Sequence, residues 1–174
     1  GGTAMIFAIL MILAYIMFRF QWKFALGSVA ALVHDVFIVV GMFSLFQLPF
    51  DLSVLAAVLA VIGYSLNDTI VVFDRIRENF RLIRRGTAAA IMNTSINQML
   101  GRTIITSMTT MLVVLSLFFL GGEAVRGFAT AMIIGIVVGT YSSIYTASSM
   151  ALVLDVSPAD LLEPKKDEQL DSLP

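Results

Sequence analysis

The chain has 174 residues, of which 59% are hydrophobic and 13% charged, and its formal net charge is −1. Its mean hydropathy of +0.94 excludes a soluble globular domain, because a domain of this length has too little interior for so many apolar residues. The absence of cysteine excludes disulfide frameworks and thiolate metal sites.

Apolar runs long enough to cross a bilayer recur along the chain. Only helices and closed barrels satisfy their backbone groups in lipid, and these runs are too long for barrel strands. We therefore predict an all-α membrane protein with five transmembrane helices. The predicted spans cover about residues 3–18, 24–46, 52–73, 103–120 and 128–154.

The charged residues predict the orientation of the chain in the membrane. Ten of the eleven lysine and arginine residues fall in residues 19–23, residues 75–102 and the C-terminal tail. The positive-inside rule places these segments in the cytoplasm and Gly1 on the periplasmic side. Because the first span is short and begins almost at Gly1, we expect a longer protein, with an external domain before this chain. The tail over residues 155–174 is polar and broken by proline, so we predict that it is disordered.

The segment over residues 74–100 predicts two amphipathic helices on the cytoplasmic side, between the third and fourth spans. Its apolar residues recur at helical spacing in each half: Ile76, Phe80 and Ile83, then Met92, Ile96 and Met99. Gly86 can end the first helix, and Thr87 can cap the second. These helices either form a docking or lever element or lie at the membrane surface above acidic lipids.

Asp68 is the candidate functional residue with the strongest physical argument. It lies inside a membrane span, about 10 Å from the cytoplasmic boundary, where a carboxylate costs about 2.5–3.5 kcal/mol. Arg102 begins the next, antiparallel span and can extend towards Asp68, which would then alternate between protonated and ionised forms. The alternatives are a neutral, hydrogen-bonded Asp68 that locks helices together, and an Arg102 that only anchors the chain at the headgroups.

Further polar groups accompany this pair. A hydroxyl stripe follows Arg102 along its helix: Thr103, Thr106, Ser107 and Thr110. These hydroxyls either hold water and relay protons or bond to their own helix and pack. His34 and Asp35 lie near the middle of the second span and suggest a proton relay, with an interhelical hydrogen bond as the alternative for Asp35. Adjacent residues diverge by about 100° on a helix, so we expect that they do not hold one ion together.

Small residues recur at every fourth position of the last span: Ala131, Gly135, Gly139, Ser143, Ala147 and Ala151. This pattern lets another helix approach closely, with Gly135, Gly139 and Ser143 at its centre, but it does not say whether that helix belongs to this chain or to a partner. No phosphate-binding loop, nucleophile elbow or HExxH motif occurs in the sequence, so we do not expect an enzyme. We also expect no cofactor, no metal and no nucleic-acid partner.

Three stretches of the sequence resemble a known family: VIGYSLNDTIVVFDRIRENFRLIRRGT, LGRTIITSMTT and GFATAMIIGIVVGTYSSIYTAS. They closely resemble the bacterial SecF family of protein-export membrane subunits, and the match covers nearly the whole chain as the last five of six membrane helices. The order Asn67-Asp68 and the run FDRIRENF favour SecF over the related SecD. A fused SecDF chain is the alternative.

The resemblance implies a bundle of the resistance–nodulation–division (RND) type in the bacterial inner membrane. It implies pairing with SecD beside the SecYEG channel, with YajC and YidC as further partners, and use of the proton-motive force to export secreted polypeptides. Asp68 matches the family's functional aspartate and Arg102 its arginine, while Thr106 and Ser107 share the RTxxTS motif. Asn67 and Asp35 complete the proton-coupling set. The alternatives are a structural or assembly subunit and half of an RND small-molecule exporter.

Overall fold

The apolar runs of the sequence fold into long helices. The computed structural model describes residues 22–83 and 86–154, and seven further positions between residues 3 and 17. Within that part of the chain the elements are α1 (Trp22–Leu45), α2 (Leu52–Leu82), α3 (Ala88–Leu120), α4 (Glu123–Ile144) and α5 (Thr146–Val153). Four stretches are long and apolar enough to cross a membrane: Lys23–Leu45, Leu52–Leu82, Ala88–Leu120 and Glu123–Met150. The prediction of an all-helical membrane protein is thus confirmed.

Some predictions fall on residues outside this part of the chain. Most of the predicted first span, over residues 3–18, lies outside the described residues, so five spans stay a prediction. The tail over residues 155–174, predicted to be disordered, lies there too. The orientation of the chain, which was inferred from its basic segments, also stays a prediction.

α2 and α3 extend well beyond the ends predicted for the third and fourth spans. No glycine or proline separates Phe73 from Leu82, so α2 continues into the arginine-rich stretch. Gly86, with a φ of +129°, turns the chain, and Thr87 caps α3 by accepting a hydrogen bond from the amide three residues ahead at 3.3 Å. The two amphipathic segments are therefore continuations of α2 and α3, and the prediction of separate helices there is not confirmed.

The apolar faces of these continuations pack against each other. Ile76, Phe80 and Met92 are almost entirely buried. Beside them, the Asn79 side-chain amide donates to Ser95 Oγ at 2.8 Å and so joins the two helices. Because these three apolar side chains are buried within the chain, they are not available to lipid at the membrane surface. A docking or lever role stays a prediction.

α4 lies directly against α2. A Cβ added at Gly135 would lie 2.1 Å from Val61 Cγ2, and one added at Gly139 would lie 3.2 Å from Ser65 Cβ. The close approach of α4 to α2 therefore requires glycine, which has no Cβ, at these two positions. The neighbouring helix, whose identity the sequence pattern left open, belongs to this chain at both positions.

The last predicted span, over residues 128–154, is divided in two. α4 ends at Ile144, Tyr145 forms a turn, and α5 begins at Thr146. After this turn α5 packs against α1.

α3 is the least buried of the four long helices. In its most apolar stretch of 18 residues, 17% of the residues are buried, against 50% in α2 and 39% in α1. Ile105, Met108 and Leu112 are each more than 60% exposed. Exposed apolar side chains on a membrane helix face lipid tails or helices of another chain.

Asp51 caps the first turn of α2. Its Oδ1 accepts hydrogen bonds from Ser53 Oγ at 2.7 Å and from the Val54 amide at 2.9 Å. The Ser53 hydroxyl, and after it the Val54 amide, hold the pKa of this carboxyl below its ordinary value. A carboxyl whose pKa is lower in the folded state than in the unfolded state stabilises the fold at any pH above the unfolded-state pKa. This stabilisation is lost as the pH falls through the folded-state pKa.

We therefore expect the first turn of α2 to fray when acid protonates Asp51. Exchange of the Val54 amide with deuterium, corrected for the intrinsic pH dependence of exchange, should accelerate as the pH falls. Asp51→Asn keeps the acceptor oxygen but cannot titrate, so this variant should lose the dependence on pH. The same acid-induced fraying in Asp51→Asn would contradict the assignment.

Candidate functional site

One stretch of α2 carries three polar side chains into the bundle. Tyr64, Ser65 and Asp68 lie within about one helical turn of each other, since residues three or four apart share a face. Ser65 is fully buried and Asp68 is 5% exposed, while Tyr64 is half-buried. Each of them interacts with a different partner on α1 or α3.

Asp68 lacks a complete set of hydrogen bonds. Its Oδ2 atom is buried and has no hydrogen-bond partner among the described residues. An unsatisfied polar atom inside a bundle costs free energy, because the oxygen loses its water without gaining a donor. Asp68 therefore joins none of the described helices through this oxygen.

Arg102 is the cation whose charge acts on Asp68. It lies on α3, which runs antiparallel to α2, and its side chain is exposed. In the described part of the chain, no ion pair within 4 Å joins it to Asp68; the basic partners of the recorded ion pairs are His34, Arg75, Arg77 and Arg126. The charge of Arg102 therefore acts on Asp68 without an ion pair between the two groups among the described residues.

The hydroxyl stripe of α3 divides into two kinds of residue. Thr106 donates to backbone carbonyls of its own helix, at 2.9 Å to that of Thr103, and Thr110 likewise donates to that of Thr106. Ser107 instead crosses the bundle: it accepts from the Tyr64 hydroxyl at 3.0 Å and lies 2.7 Å from Thr140 Oγ1. These hydroxyls join α2, α3 and α4.

Ser107 and Thr140 also line an open groove between α3 and α4. Its volume is about 270 Å³, and the rest of its wall is apolar: Ile104, Met108, Met111, Ile136 and Val137. The hydroxyl contacts therefore end at a largely apolar surface. A hydrated path along the stripe stays a prediction.

Asp35 is fully buried and has a partner for each carboxylate oxygen. The Ser65 hydroxyl donates to Oδ2 at 2.5 Å, and His34 Nδ1 lies 3.1 Å from Oδ1. The interhelical hydrogen bond considered for Asp35 is thus present. His34 Nδ1 and Asp35 Oδ1 come this close although adjacent residues diverge on a helix. The expectation that the pair does not hold one ion together stays a prediction.

The remaining candidates lie around this centre. Asn67 is exposed, on a different face of α2 from Asp68. Ser143 is fully buried and donates to the Thr140 carbonyl of its own helix at 3.1 Å. Within the described ranges, no three acidic, histidine or cysteine side chains converge as ligands for a metal ion would.

Sequence reasoning missed two members of this site, Ser65 and Thr140. Ser65 lies three residues before Asp68, a spacing that could have placed it on the same face. Thr140 follows Gly139 of the small-residue pattern, so it lies next to the closest approach of two helices. Neither of these sequence patterns predicts which residue the hydroxyl contacts.

Residues 1–157 match the profile of a family described as Protein export membrane protein SecD/SecF, C-terminal. The chain belongs to the SecD/SecF family. Its SecD/SecF relatives include the protein translocase subunit SecF of Vibrio alginolyticus, 52% identical over 177 residues, and that of Pseudomonas aeruginosa, 51% identical over 174 residues. Both comparisons cover 100% of this chain but 56% and 57% of the relatives, so the chain spans little more than half of their length.

Solved SecD/SecF structures share this fold. A crystal structure of SecDF in a super-membrane-facing form matches with a TM-score of 0.79 and 52% identity, over 82% of this chain and 20% of that chain. A crystal structure of SecDF from Thermus thermophilus, described there as a translocon-associated membrane protein, matches equally well. The resemblance found in the sequence is thereby confirmed.

Proposed function

We propose that this chain forms the membrane part of a SecF-type subunit that pairs with SecD and uses the proton-motive force to drive protein export. The observation that carries the proposal is the buried Oδ2 of Asp68, which has no hydrogen-bond partner among the described residues and on which the charge of Arg102 acts from the next helix. Because the chain spans little more than half of its SecF relatives, the activity belongs to the longer protein of which it would be a part.

The unsatisfied state of Asp68 argues against a purely structural role. A carboxylate at membrane depth costs about 2.5–3.5 kcal/mol, so a structural carboxyl should recover that cost through hydrogen bonds. Asp35, by comparison, has a partner for both of its oxygens. Asp68 Oδ2 gains no such bond from the part of the chain that the structure describes, which favours a group that exchanges a proton.

The proposed mechanism couples the charge of Asp68 to the position of α3. When Asp68 is ionised it attracts Arg102, and when it binds a proton the attraction ends. Each protonation state therefore favours a different arrangement of α2 and α3. Thr106 donates to the backbone carbonyls of Arg102 and Thr103 on its own helix, so we assign the movement to the exposed side chain of Arg102.

Asn67 supports the pairing with SecD. Its amide is exposed at membrane depth, where a polar group needs a partner that lipid tails cannot supply. A helix of SecD would meet this requirement, and the likeness to SecDF chains supports the same pairing. The SecYEG channel, YajC, YidC and the secreted polypeptide are the further proposed partners, in the bacterial inner membrane.

A structural or assembly subunit is the second candidate function. The hydrogen bonds that join α2 to α1 and α3, through Ser65 and Tyr64, favour it, because they tie the bundle together without any proton transfer. The two functions differ in what they require of Asp68.

The test is proton flux and export in membrane vesicles that contain the full-length protein with Asp68→Asn. We expect assembly with SecD to persist, because asparagine has nearly the same shape, while proton-driven export falls to background. Asp51→Asn makes the same chemical change outside the membrane spans and should leave export intact. Undiminished export in Asp68→Asn would overturn the proposed function and leave the structural role.

A further inference from the structure

Asp35 is a second buried carboxyl that the proposed mechanism does not use. It lies 13 residues from the start of α1 at Trp22, or about 20 Å along the helix, which places it near the middle of the membrane. Its side chain is 0% exposed, whereas that of His34 is 36% exposed. His34 therefore lies between the buried carboxyl and the surface of the bundle.

We propose that His34 and Asp35 form a second proton-exchanging pair of this bundle, separate from Asp68 and Arg102. The inference rests on the proposed proton-coupled function but concerns a different carboxyl. In the exchange, the Nδ1–H bond of a protonated His34 breaks and an O–H bond forms at Asp35 Oδ1, 3.1 Å away. The imidazolium and the carboxylate both become neutral, so the step conserves charge.

Apart from His34 and Asp68, no acidic or basic side chain of the described residues lies near the level of Asp35. On α1, Lys23 is 12 residues away, or about 18 Å along the helix. The other titratable or charged groups on the helices that pack against α1, apart from those near the ends of α2, are Tyr64, Asp68, Glu123, Arg126 and Tyr141. Of these groups, Asp68 lies one turn beyond Ser65 on α2. Glu123 and Arg126 lie near the start of α4. The described residues of α5 include no titratable side chain.

Ser65 connects this pair to the turn of α2 that carries Asp68. Its hydroxyl donates to Asp35 Oδ2 at 2.5 Å, and a hydrogen bond to an ionised carboxylate is stronger than one to a neutral carboxyl. Gly139 makes room for this contact, since a Cβ there would lie 3.6 Å from Oδ2 and 3.2 Å from Ser65 Cβ. The protonation of Asp35 therefore changes how firmly α1 holds α2.

Infrared difference spectroscopy tests the proposal on the full-length protein in lipid vesicles. In the Asp68→Asn background, lowering the pH should produce the carbonyl band of a protonated, buried carboxyl. This band should be lost when Asp35→Asn is added. An identical spectrum with and without Asp35→Asn would overturn the proposal.

Two further variants decide the question if Asp35→Asn does not fold. His34→Gln and Ser65→Ala each remove one partner of the carboxyl, so each should shift the frequency of the band. Tyr64→Phe removes a hydroxyl that does not contact Asp35 and should leave the band in place. A band that moves in neither His34→Gln nor Ser65→Ala overturns the proposal. Export by Asp68→Asn is measured separately, because that variant keeps the Asp35 band whether or not it exports protein.

Discussion

Replacing Gly135 with leucine is expected to prevent α4 from packing against α2 and to remove folded protein from the membrane. A Cβ at this position would already lie 2.1 Å from Cγ2, 2.7 Å from Cγ1 and 2.9 Å from Cβ of Val61. These distances are too short for carbon atoms, so α4 must move away, which also disturbs the contact at Gly139. Overpacking of an interior costs about 1–3 kcal/mol for small additions, and leucine adds a whole branched side chain. Thermal unfolding in detergent and the yield of membrane protein measure the effect.

Gly63 offers the matched control, since an added Cβ there meets no atom within 4 Å. Gly63→Leu on α2 should leave both the unfolding temperature and the yield close to those of the unsubstituted protein. Gly135→Ala is a milder variant, which adds only the Cβ atom. Val61→Ala removes the two atoms nearest to that Cβ, so combining it with Gly135→Ala should partly restore the unfolding temperature. If Gly135→Leu unfolded at the unchanged temperature, the close packing of α2 and α4 would be contradicted.

Removing the charge of Arg102 is expected to reduce proton-driven export as strongly as removing that of Asp68. If Arg102 acts through Asp68, the double variant Asp68→Asn/Arg102→Gln should export no worse than either single variant. Because the charge of Arg102 has nothing left to act on once Asp68 is replaced, the loss in the double variant should equal that of a single variant and not the product of the two losses. Export rates of the two single variants and the double variant give this coupling directly.

Arg126 is the control for this cycle, because it is exposed and paired with Glu123 at 2.7 Å, far along the chain from Asp68. Arg126→Gln should leave export intact. Arg102→Lys keeps a positive charge on a side chain of similar length and should retain part of the activity. If the export rate of the double variant fell by the product of the two single-variant losses, Arg102 and Asp68 would act independently.

Much of the fold followed from patterns that are local in the sequence. Hydropathy marked the four long helices, because lipid forces apolar runs to satisfy their backbone groups internally. The antiparallel arrangement of the helices that carry Asp68 and Arg102 followed from the short connection between them, while the pairing of the two residues stays a prediction. Burial at Gly135 and Gly139 followed from the spacing of small residues, although the partner helix did not.

The remaining features depend on the rotation of each helix and on side-chain bends, which hydropathy does not encode. The Ser65–Asp35 contact and the contact of Tyr64 with Ser107 each required a choice among several hydroxyls and carboxyls. The length of α2 was underestimated because the arginines after Phe73 lowered the hydropathy while the helical spacing of apolar residues continued to Phe80. Hydropathy marks where a span leaves the bilayer, not where its helix ends.

Asp68 and Arg102 lie on helices that differ in how much of their surface is packed against the rest of the bundle. α2 contacts α1, α3 and α4, and half of its most apolar stretch is buried, whereas α3 has 17% buried in the corresponding stretch. A relative displacement of the two groups therefore disrupts the fewest contacts when α3 slides or tilts and α2 stays in place. In the proposed mechanism the proton therefore binds to a site on α2, which stays in place, and Arg102 moves with α3.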